Sequence, residues 1–424
     1  MNISVNSFRQ PSSIGDSVAR DLEFRIQNLF AEDVDFPSGI AASEFTSRPV
    51  TYDESIIDLG FGLPDPKLFH LDALRRASDE AIRTEGPRAL QYGGGAGMMR
   101  LPEWVRLVQT RRRNIPCNPG DLLLTHGSSQ GMDLLGRLFL NPGDEVWFER
   151  PTYFGAIKIF GLHGAKMRDF PMDESGLVTD VVASELKKRQ KAALPMPKLL
   201  YVMPNYQNPT GRTMTLSRRT ELVNLARTYR FAIVEDDAYG DLRFSGNPLP
   251  TLRQLCPSHV FYLSTLSKTV APGFRMGWLI GPEEAVTKLR ELKAEGANGG
   301  FVQEILSVFL ASMDYDAHIS HLQNYYHRRR DAMVSFLERD FPPEVGWTTP
   351  DGGFFVWLTL PSWAPLNKVM DLRRSAGVSF IPGTAFYLGE GSQNHVRLSF
   401  SLYPPELIVE GMRRLRDLIE SLRP

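Results

Sequence analysis

The feature that most constrains the fold is an alternation, from about Pro116 to Pro282, of short apolar runs and segments with helical periodicity. Strands that are buried on both faces of a parallel sheet read as continuous apolar runs, because helices cover both faces. The pattern therefore predicts an α/β fold with a mostly parallel sheet covered by helices. The predicted strands are 121–126, 145–149, 198–204, 231–236, 259–265 and 275–281, with helices at 132–140 and 216–230.

The pattern changes after residue 300. Residues 301–341 are helical throughout, with a break near Asp314, and a smaller strand set and an amphipathic helix from Glu406 to Leu422 follow. The later strands are predicted at 354–360, 378–383 and 395–401. We therefore predict an N-terminal arm that joins the second domain, a large α/β domain and a smaller α+β domain, at residues 1–50, 51–300 and 301–424.

Composition excludes several classes of protein. The 424 residues contain 48 Lys plus Arg and 49 Asp plus Glu, so no electrostatic drive toward nucleic acid or an acidic membrane exists. Cys117 and Cys256 are the only cysteines, which rules out a disulfide framework and a C-x-x-C site. The first residues lack the apolar run of a secretory leader, and no apolar stretch is long enough to cross a bilayer, so we expect neither a leader nor a membrane span. We expect a cytoplasmic protein without nucleic-acid or membrane partners.

The stretch GSSQG at 127–131 follows a predicted strand and opens a predicted helix. Unpaired N–H groups and the helix dipole favour an anion there, so a phosphate could bind at Ser128, Ser129 and Gln130. The same letters match G-x-S-x-G, the nucleophile elbow of α/β-hydrolases, with Ser129 as nucleophile. Simple helix capping by the serines is a third interpretation. The motif alone leaves all three open.

Two further motifs end predicted strands. In YVMPNYQNPTGRTM, residues 201–214, prolines and a glycine fix an irregular loop, and Asn208 is a neutral donor. In IVEDDAYGDLRF, residues 233–244, Asp236 ends a strand three residues before Tyr239. A Mg²⁺ site or a solvated turn is an alternative, but a carboxylate buried at the sheet edge needs a cation. Ligands of open α/β sheets bind at this edge.

The stretch STLSKTVAPGFRMGW, residues 264–278, places Lys268 among hydroxyl side chains, a Pro-Gly turn and Arg275. Most lysines are simply exposed. A lysine that is desolvated and crowded by cations has a lowered pKa and can form a Schiff base. These surroundings suit an anionic ligand with a carbonyl carbon.

Taken in order, these motifs resemble the fold-type I pyridoxal-phosphate enzymes of aminotransferase class I/II. The branch is the one with 2-aminoadipate and kynurenine aminotransferases and the aminotransferase half of MocR-type regulators. The resemblance spans residues 58–401 and implies an aspartate aminotransferase-like fold, a large domain that binds pyridoxal 5'-phosphate, and a homodimer with shared active sites. The matching stretches are GSSQGMDL, PTYFG, YVMPNYQNPTG, EDDAYGDL, STLSKTVAPGFRMGW and NHVRLSF.

The resemblance also implies residue roles. Lys268, Asp236 and Tyr239 would be catalytic: Lys268 would form the Schiff base and move the proton, and Asp236 would keep the ring nitrogen protonated. Arg397 would bind the substrate α-carboxylate bidentately, beside Asn208 and Gly62. The cofactor would be held by Ser128, Ser129, Gln130, Tyr153, Asn208, Asp236, Tyr239, Thr265, Ser267, Lys268 and Arg275, with Tyr92 reaching the phosphate from the partner subunit.

Two stretches depart from the family pattern. Residues 129–131 read Ser-Gln-Gly where the family has Gln-Gln or Gln-Ala, and residues 93–97 are Gly-rich where it has polar side chains. Residues 129–131 can still bind the phosphate, because backbone N–H groups make most of the contacts there. Residues 93–97 lack the side-chain donors that the family usually has beside the substrate. Residues 93–97 are not a dinucleotide fingerprint. His318 and His321 lack the carboxylates of a metal site, so no metal is expected.

The expected reaction is transamination between an L-amino acid and a 2-oxo acid. A cyclase, lyase or oxidase of secondary metabolism would use the same residues and is the main alternative. A serine hydrolase using Ser129 would leave Lys268, Asp236 and Arg397 unexplained, and a regulator would need a DNA-binding element. The motifs do not specify the substrate side chain, although Arg20 or Arg25 in the arm could meet an acidic one.

Overall fold

The computed structural model describes residues 55–389 and 394–424, which belong to one compact unit. The arm predicted at 1–50, with Arg20 and Arg25, lies outside the described residues. No helix in the described ranges combines the length and apolarity that crossing a bilayer requires.

The strands of the described ranges fall into one large sheet and two small ones. They are β1 (Ile57–Asp58), β2 (Leu122–Thr125), β3 (Glu145–Arg150), β4 (Lys166–Asp173), β5 (Gly176–Leu177), β6 (Leu199–Val202), β7 (Ala232–Asp236), β8 (Val260–Thr265), β9 (Gly277–Ile280), β10 (Gly346–Trp347), β11 (Phe355–Thr359), β12 (Val378–Ser379), β13 (Ile381–Pro382) and β14 (His395–Ser399).

The α-helices alternate with the strands of the large sheet and dominate the stretch after it. They are α1 (Leu71–Ala89), α2 (Gly97–Arg113), α3 (Gly127–Phe139), α4 (Phe154–Gly161), α5 (Thr179–Lys191), α6 (Leu216–Tyr229), α7 (Leu252–Leu255), α8 (Glu283–Leu292), α9 (Gly300–Ala311), α10 (Tyr315–Asp340), α11 (Leu366–Leu372) and α12 (Pro405–Glu420). The predicted break between α9 and α10 is present, because Asp314 caps α10 by accepting the Ala317 N–H at 3.0 Å.

The large sheet has the order β2-β9-β8-β7-β6-β3-β4-β5, and only β9 and β5 run against the other strands. The mostly parallel α/β sheet that the sequence predicts is therefore confirmed. Six of its strands coincide with predicted runs. Strand β4 was not predicted, because Phe170 is its only buried position and the others, exposed or partly buried, leave no continuous apolar run.

Neighbouring residues of the inner strands pack on opposite faces of the sheet. Trp147 and Leu200 belong to one apolar cluster, and Phe148 and Tyr201, the next residues along, belong to another. Because helices cover both faces, every position of such a strand is buried, which accounts for the continuous apolar runs.

A second, antiparallel sheet has the order β10-β11-β14-β13, and α10 packs against α12 beside it. The pairing of Trp357 in β11 with Arg397 in β14 fixes the register of this sheet. Strand β1 pairs with β12, so Ile57 lies next to Val378. The division into large and small domains at residue 300 stays a prediction.

Candidate active site

The carboxyl ends of β6, β7 and β8 meet at one edge of the large sheet, and a cavity of about 290 Å³ lies there. Residues from β11 and β14 complete its lining. This is the edge at which open α/β sheets bind ligands. The predicted site residues that line the cavity are Gly62, Ser128, Ser129, Tyr153, Asn208, Asp236, Tyr239, Thr265, Ser267, Lys268, Arg275 and Arg397.

Lys268 follows β8 and is partly buried, with its Nζ donating to the Gly62 carbonyl oxygen at 3.0 Å. Burial lowers the pKa of Lys268 to about 8, the charges of Arg397 and Arg275 add to the effect, and Asp236 opposes it. A lowered pKa increases the fraction of neutral amine, which is the form that attacks a carbonyl carbon.

Asp236 is the last residue of β7 and is buried. Its Oδ2 accepts a hydrogen bond from the Tyr201 hydroxyl at 2.9 Å, and its Oδ1 is buried without a partner. Burial raises the pKa of Asp236 to about 6, and Asp237 contributes in the same direction, whereas Tyr201 and Lys268 lower it. An unpartnered carboxylate oxygen of a cavity-lining residue fits a protonated ring nitrogen.

Arg397 reaches the cavity from β14. Its Nη1 donates to Asn208 Oδ1 at 2.8 Å and its Nη2 to the Gly60 carbonyl oxygen at 2.7 Å, while its Nε is buried without a partner. The Phe355 ring centroid lies 4.1 Å from the guanidinium carbon. Burial lowers the pKa of Arg397 to about 10. A planar guanidinium with unused donor capacity suits bidentate binding of a carboxylate.

Donors that suit a phosphate gather at the N-terminus of α3. Gly127 has φ of +74°, and a Cβ there would lie 2.8 Å from Arg275 Nη2, so only glycine lets this guanidinium come so close. The donors are Ser128, Ser129, Thr265, Ser267 and Arg275. This anion cradle, the unpartnered Asp236 oxygen and the lysine amine together fit pyridoxal phosphate.

Two predicted cofactor residues lie away from the cavity lining. The Gln130 side chain turns back, and its Oε1 accepts the His126 N–H at 2.8 Å. The Tyr92 side chain is fully exposed. The role predicted for Tyr92 in the site of a partner subunit stays a prediction.

The expectation that no metal is bound was based on His318 and His321. The structure shows the hydrogen-bond partners of His318. His318 Nε2 lies 2.6 Å from the Thr269 carbonyl oxygen, and its Nδ1 lies 3.1 Å from His70 Nε2. Over residues 55–389 and 394–424, the structure contains no group of three or more side chains that could hold a metal ion.

Sequence reasoning missed several contributors. Tyr201 hydrogen-bonds Asp236, and Arg113 Nη2 lies 3.0 Å from Asp237 Oδ2. Phe355 packs against Arg397. The adjacent carboxylates of EDD, residues 235–237, could have indicated these partners, because each buried carboxylate needs a hydrogen-bond or charge partner of its own.

The chain is similar over most of its length to proteins of known activity. The sequence profile of the family "Aminotransferase class I and II" matches residues 54–415. The aromatic-amino-acid aminotransferase 1 of Thermococcus litoralis is 36% identical over 391 residues, covering 90% of this chain and 93% of that protein.

Two solved structures also match. The multiple substrate aminotransferase of Thermococcus profundus is 33% identical, with a TM-score of 0.86, and the match covers 94% of this chain and 99% of that one. The α-aminoadipate aminotransferase LysN of Thermus thermophilus, complexed with N-(5'-phosphopyridoxyl)-L-leucine, is 30% identical, with a TM-score of 0.84 and the same coverages.

Proposed function

The chain belongs to the aminotransferase class I and II family, and we propose that Lys268, Asp236 and Arg397 carry out its reaction. The predicted family, fold type, enzyme class and cofactor are confirmed: the protein is a pyridoxal-phosphate-dependent transaminase of fold type I. The similarities do not favour a hydrolase using Ser129 or a cyclase, lyase or oxidase. The observation that carries the assignment of roles is one cavity with an amine, an unpartnered carboxylate oxygen and a guanidinium.

Each of the three residues has a distinct task in the proposed mechanism. Pyridoxal phosphate, when bound, supplies an aldehyde carbon that takes the amino group and a ring that withdraws electrons. Asp236 keeps the ring nitrogen protonated through a charge pair. Arg397 holds the α-carboxylate by two parallel hydrogen bonds. Lys268, as a neutral amine, removes the proton from the substrate α-carbon and returns it to the carbon that carried the aldehyde.

A single turnover without 2-oxo acid tests the reaction type. Stoichiometric conversion of the cofactor to pyridoxamine phosphate, followed by its absorbance, is the expected result. Repeated turnover with the cofactor remaining an aldehyde, and a product that has lost a leaving group or gained a ring, would contradict transamination. In Asp236→Asn we expect proton removal to slow by at least about 10²-fold, because the ring nitrogen loses its charged partner.

The proposed substrates are L-amino acids with large apolar or aromatic side chains, and 2-oxo acids accept the amino group. The charged donors that line the described cavity, Lys268, Arg275 and Arg397, already have roles. The remaining lining includes Phe61, Leu63, Phe154 and Ile381. The similarity to an aromatic-amino-acid aminotransferase supports this proposal.

A panel of amino acids tests the substrate class by the rate of the half-reaction. Phenylalanine, tyrosine and leucine should react at least about ten times faster than glutamate and 2-aminoadipate, because the described residues of the cavity lining offer no further cation for a second carboxylate. The reverse preference would contradict the proposal and would direct attention to Arg20 and Arg25 in the arm.

The proposed assembly is a homodimer with shared active sites. The support is Tyr92, which the family pattern places across the subunit interface and which is fully exposed here. Mixed dimers of Tyr92→Ala and Lys268→Ala chains should recover one working site, since one site of each mixed dimer would contain both changes and the other would contain neither. A fully active monomer in sedimentation would contradict the proposal.

The cytoplasm is the proposed location. Cys117 and Cys256 are both buried and unpaired, as expected in a reducing compartment. Cell fractionation followed by immunoblotting tests this location.

A further inference from the structure

Tyr201 is a fully buried tyrosine in β6 whose hydroxyl contacts Asp236, one of the proposed catalytic residues. Its hydroxyl donates to Asp236 Oδ2 at 2.9 Å, whereas Asp236 Oδ1 is buried and unpartnered. Rotation about the Cβ–Cγ bond of an aspartate is soft and exchanges its two oxygens. The hydrogen bond from Tyr201 removes this freedom, because one oxygen is fixed and the other is left for a ligand.

Strand register explains why Tyr201 reaches this carboxylate. Tyr201 pairs with Val234 on β7, and Asp236 lies two residues further along, on the same face of the sheet. The ring centroids of Phe148 and Phe160 lie 6.0 and 6.3 Å from that of Tyr201. The tyrosine ring is therefore held within the core, and its hydroxyl has a defined position at the base of the cavity.

We propose that Tyr201 is a positioning residue, which orients Asp236 so that Oδ1 accepts the hydrogen bond of the cofactor's ring nitrogen. The inference rests on the proposed role of Asp236. Tyr201 does not line the cavity, so it acts through Asp236 and not by contact with the cofactor or the substrate.

The hydroxyl of Tyr201 also favours the charged form of the carboxylate. The titratable groups facing Asp236 are Tyr201, Asp237, Lys268, Tyr153 and Tyr239. Burial and Asp237 raise the pKa of Asp236, and the hydrogen bond from Tyr201 is the largest of the contributions that lower this pKa. Without that hydroxyl, Asp236 takes up its proton at a higher pH, and the charge partner of the ring nitrogen is lost there.

The test uses Tyr201→Phe, which removes one oxygen and keeps the ring. The dissociation constant of pyridoxal phosphate from the cofactor-free protein is measured between pH 5 and pH 8.5, together with kcat and KM. The acid-side midpoint is the pH at which protonation on the acid side has removed half of the effect on cofactor affinity. This midpoint should rise by about one pH unit in Tyr201→Phe. The kcat should fall about tenfold with KM unchanged, because the defect lies at the ring nitrogen. An unmoved midpoint would overturn the proposal.

Tyr262→Phe is the matched control. Tyr262 is equally buried, lies on β8, which pairs with β7 on the side opposite β6, and donates to Asp237 Oδ2 at 2.8 Å. Asp237 retains its contacts with Arg113 and Asn205 in this variant. Tyr262→Phe should therefore leave the acid-side midpoint where it is in the unmodified protein. A shift as large as that of Tyr201→Phe would show a general effect of removing a buried hydroxyl and would overturn the proposal.

A double-mutant cycle separates this inference from the role of Asp236. In an Asp236→Asn background, adding Tyr201→Phe should change the dissociation constant less than about twofold, because the group through which Tyr201 acts is already neutral. An equal loss in both backgrounds would contradict the inference. If Asp236→Asn itself bound cofactor and turned over normally, the proposed role of Asp236 would fail first.

A second substitution keeps the test valid if Tyr201→Phe folds poorly. Incorporating 3-fluorotyrosine at position 201 retains the shape and makes the hydroxyl a stronger donor. The acid-side midpoint should then move to lower pH, and no movement would contradict the inference.

Discussion

Replacing Lys268 with methionine should stabilise the protein prepared without cofactor. The pKa of Lys268 falls from 10.5 to about 8 on burial beside Arg397 and Arg275. At about 1.4 kcal/mol per pKa unit, the protonated side chain costs roughly 3 kcal/mol of folding free energy at pH 7. Loss of the hydrogen bond to Gly62 offsets about 1 kcal/mol of the gain. A net stabilisation of roughly 2 kcal/mol is expected.

The sign of the effect follows from proton binding in the two states. Below pH 8 both the folded and unfolded chains carry the proton on Lys268, so the full cost is present. Between pH 8 and 10.5 only the unfolded chain keeps it, so stability rises with pH and the cost fades. The advantage of Lys268→Met should therefore shrink as the pH increases and disappear at about pH 9.8, where the remaining cost of about 1 kcal/mol equals the lost hydrogen bond.

Urea unfolding of the cofactor-free proteins at pH 7 and pH 9.5 measures the difference. Lys187→Met, on an exposed face of α5, is the control and should change the unfolding free energy by less than about 0.5 kcal/mol at either pH. Equal stability of Lys268→Met and the unmodified protein at pH 7, or an advantage that does not shrink with pH, would refute the burial argument.

Three further substitutions have defined outcomes. Arg397→Lys should lower kcat/KM about 10²-fold in steady-state kinetics, because an ammonium cannot make two parallel hydrogen bonds, while cofactor affinity stays unchanged. Gly62→Ala should lower the free energy of unfolding in urea by about 1–3 kcal/mol, since the added Cβ would lie 2.4 Å from Phe355 Cζ. Gly273→Ala is the control, because a Cβ added there would have no atom within 4 Å. Arg219→Met should cost about 3 kcal/mol by the same assay, because the fully buried guanidinium donates to oxygens of the loop after β6.

The parts of the fold that were predictable are those whose burial is uniform. Strands β6, β7 and β8 lie between two helical layers, so each appears in the sequence as a continuous apolar run that predicts a buried strand. Strand β4 is partly exposed and was missed for that reason. Lys268 and Asp236 could be proposed as site residues because each lies at or just beyond the carboxyl end of a buried strand, where polar side chains are unusual.

Other features of the site depend on register and rotamer. Tyr201 reads as an ordinary core aromatic until the pairing of β6 with β7 places its hydroxyl on Asp236. The Gln130 side chain could point toward a phosphate or back along the helix, and the structure shows it on His126. Such choices are made by tertiary contacts, which a single sequence does not display.

Borohydride reduction of the holoenzyme, followed by peptide mapping, tests the central assignment most directly. Reduction fixes the bond between the cofactor and the amine that holds it, so the labelled peptide identifies the residue. The geometry of the cavity, with Lys268 Nζ 3.0 Å from the Gly62 carbonyl oxygen, predicts one pyridoxyl group per chain, on Lys268. Label on another lysine, or a reduced holoenzyme without label on any lysine, would contradict the account.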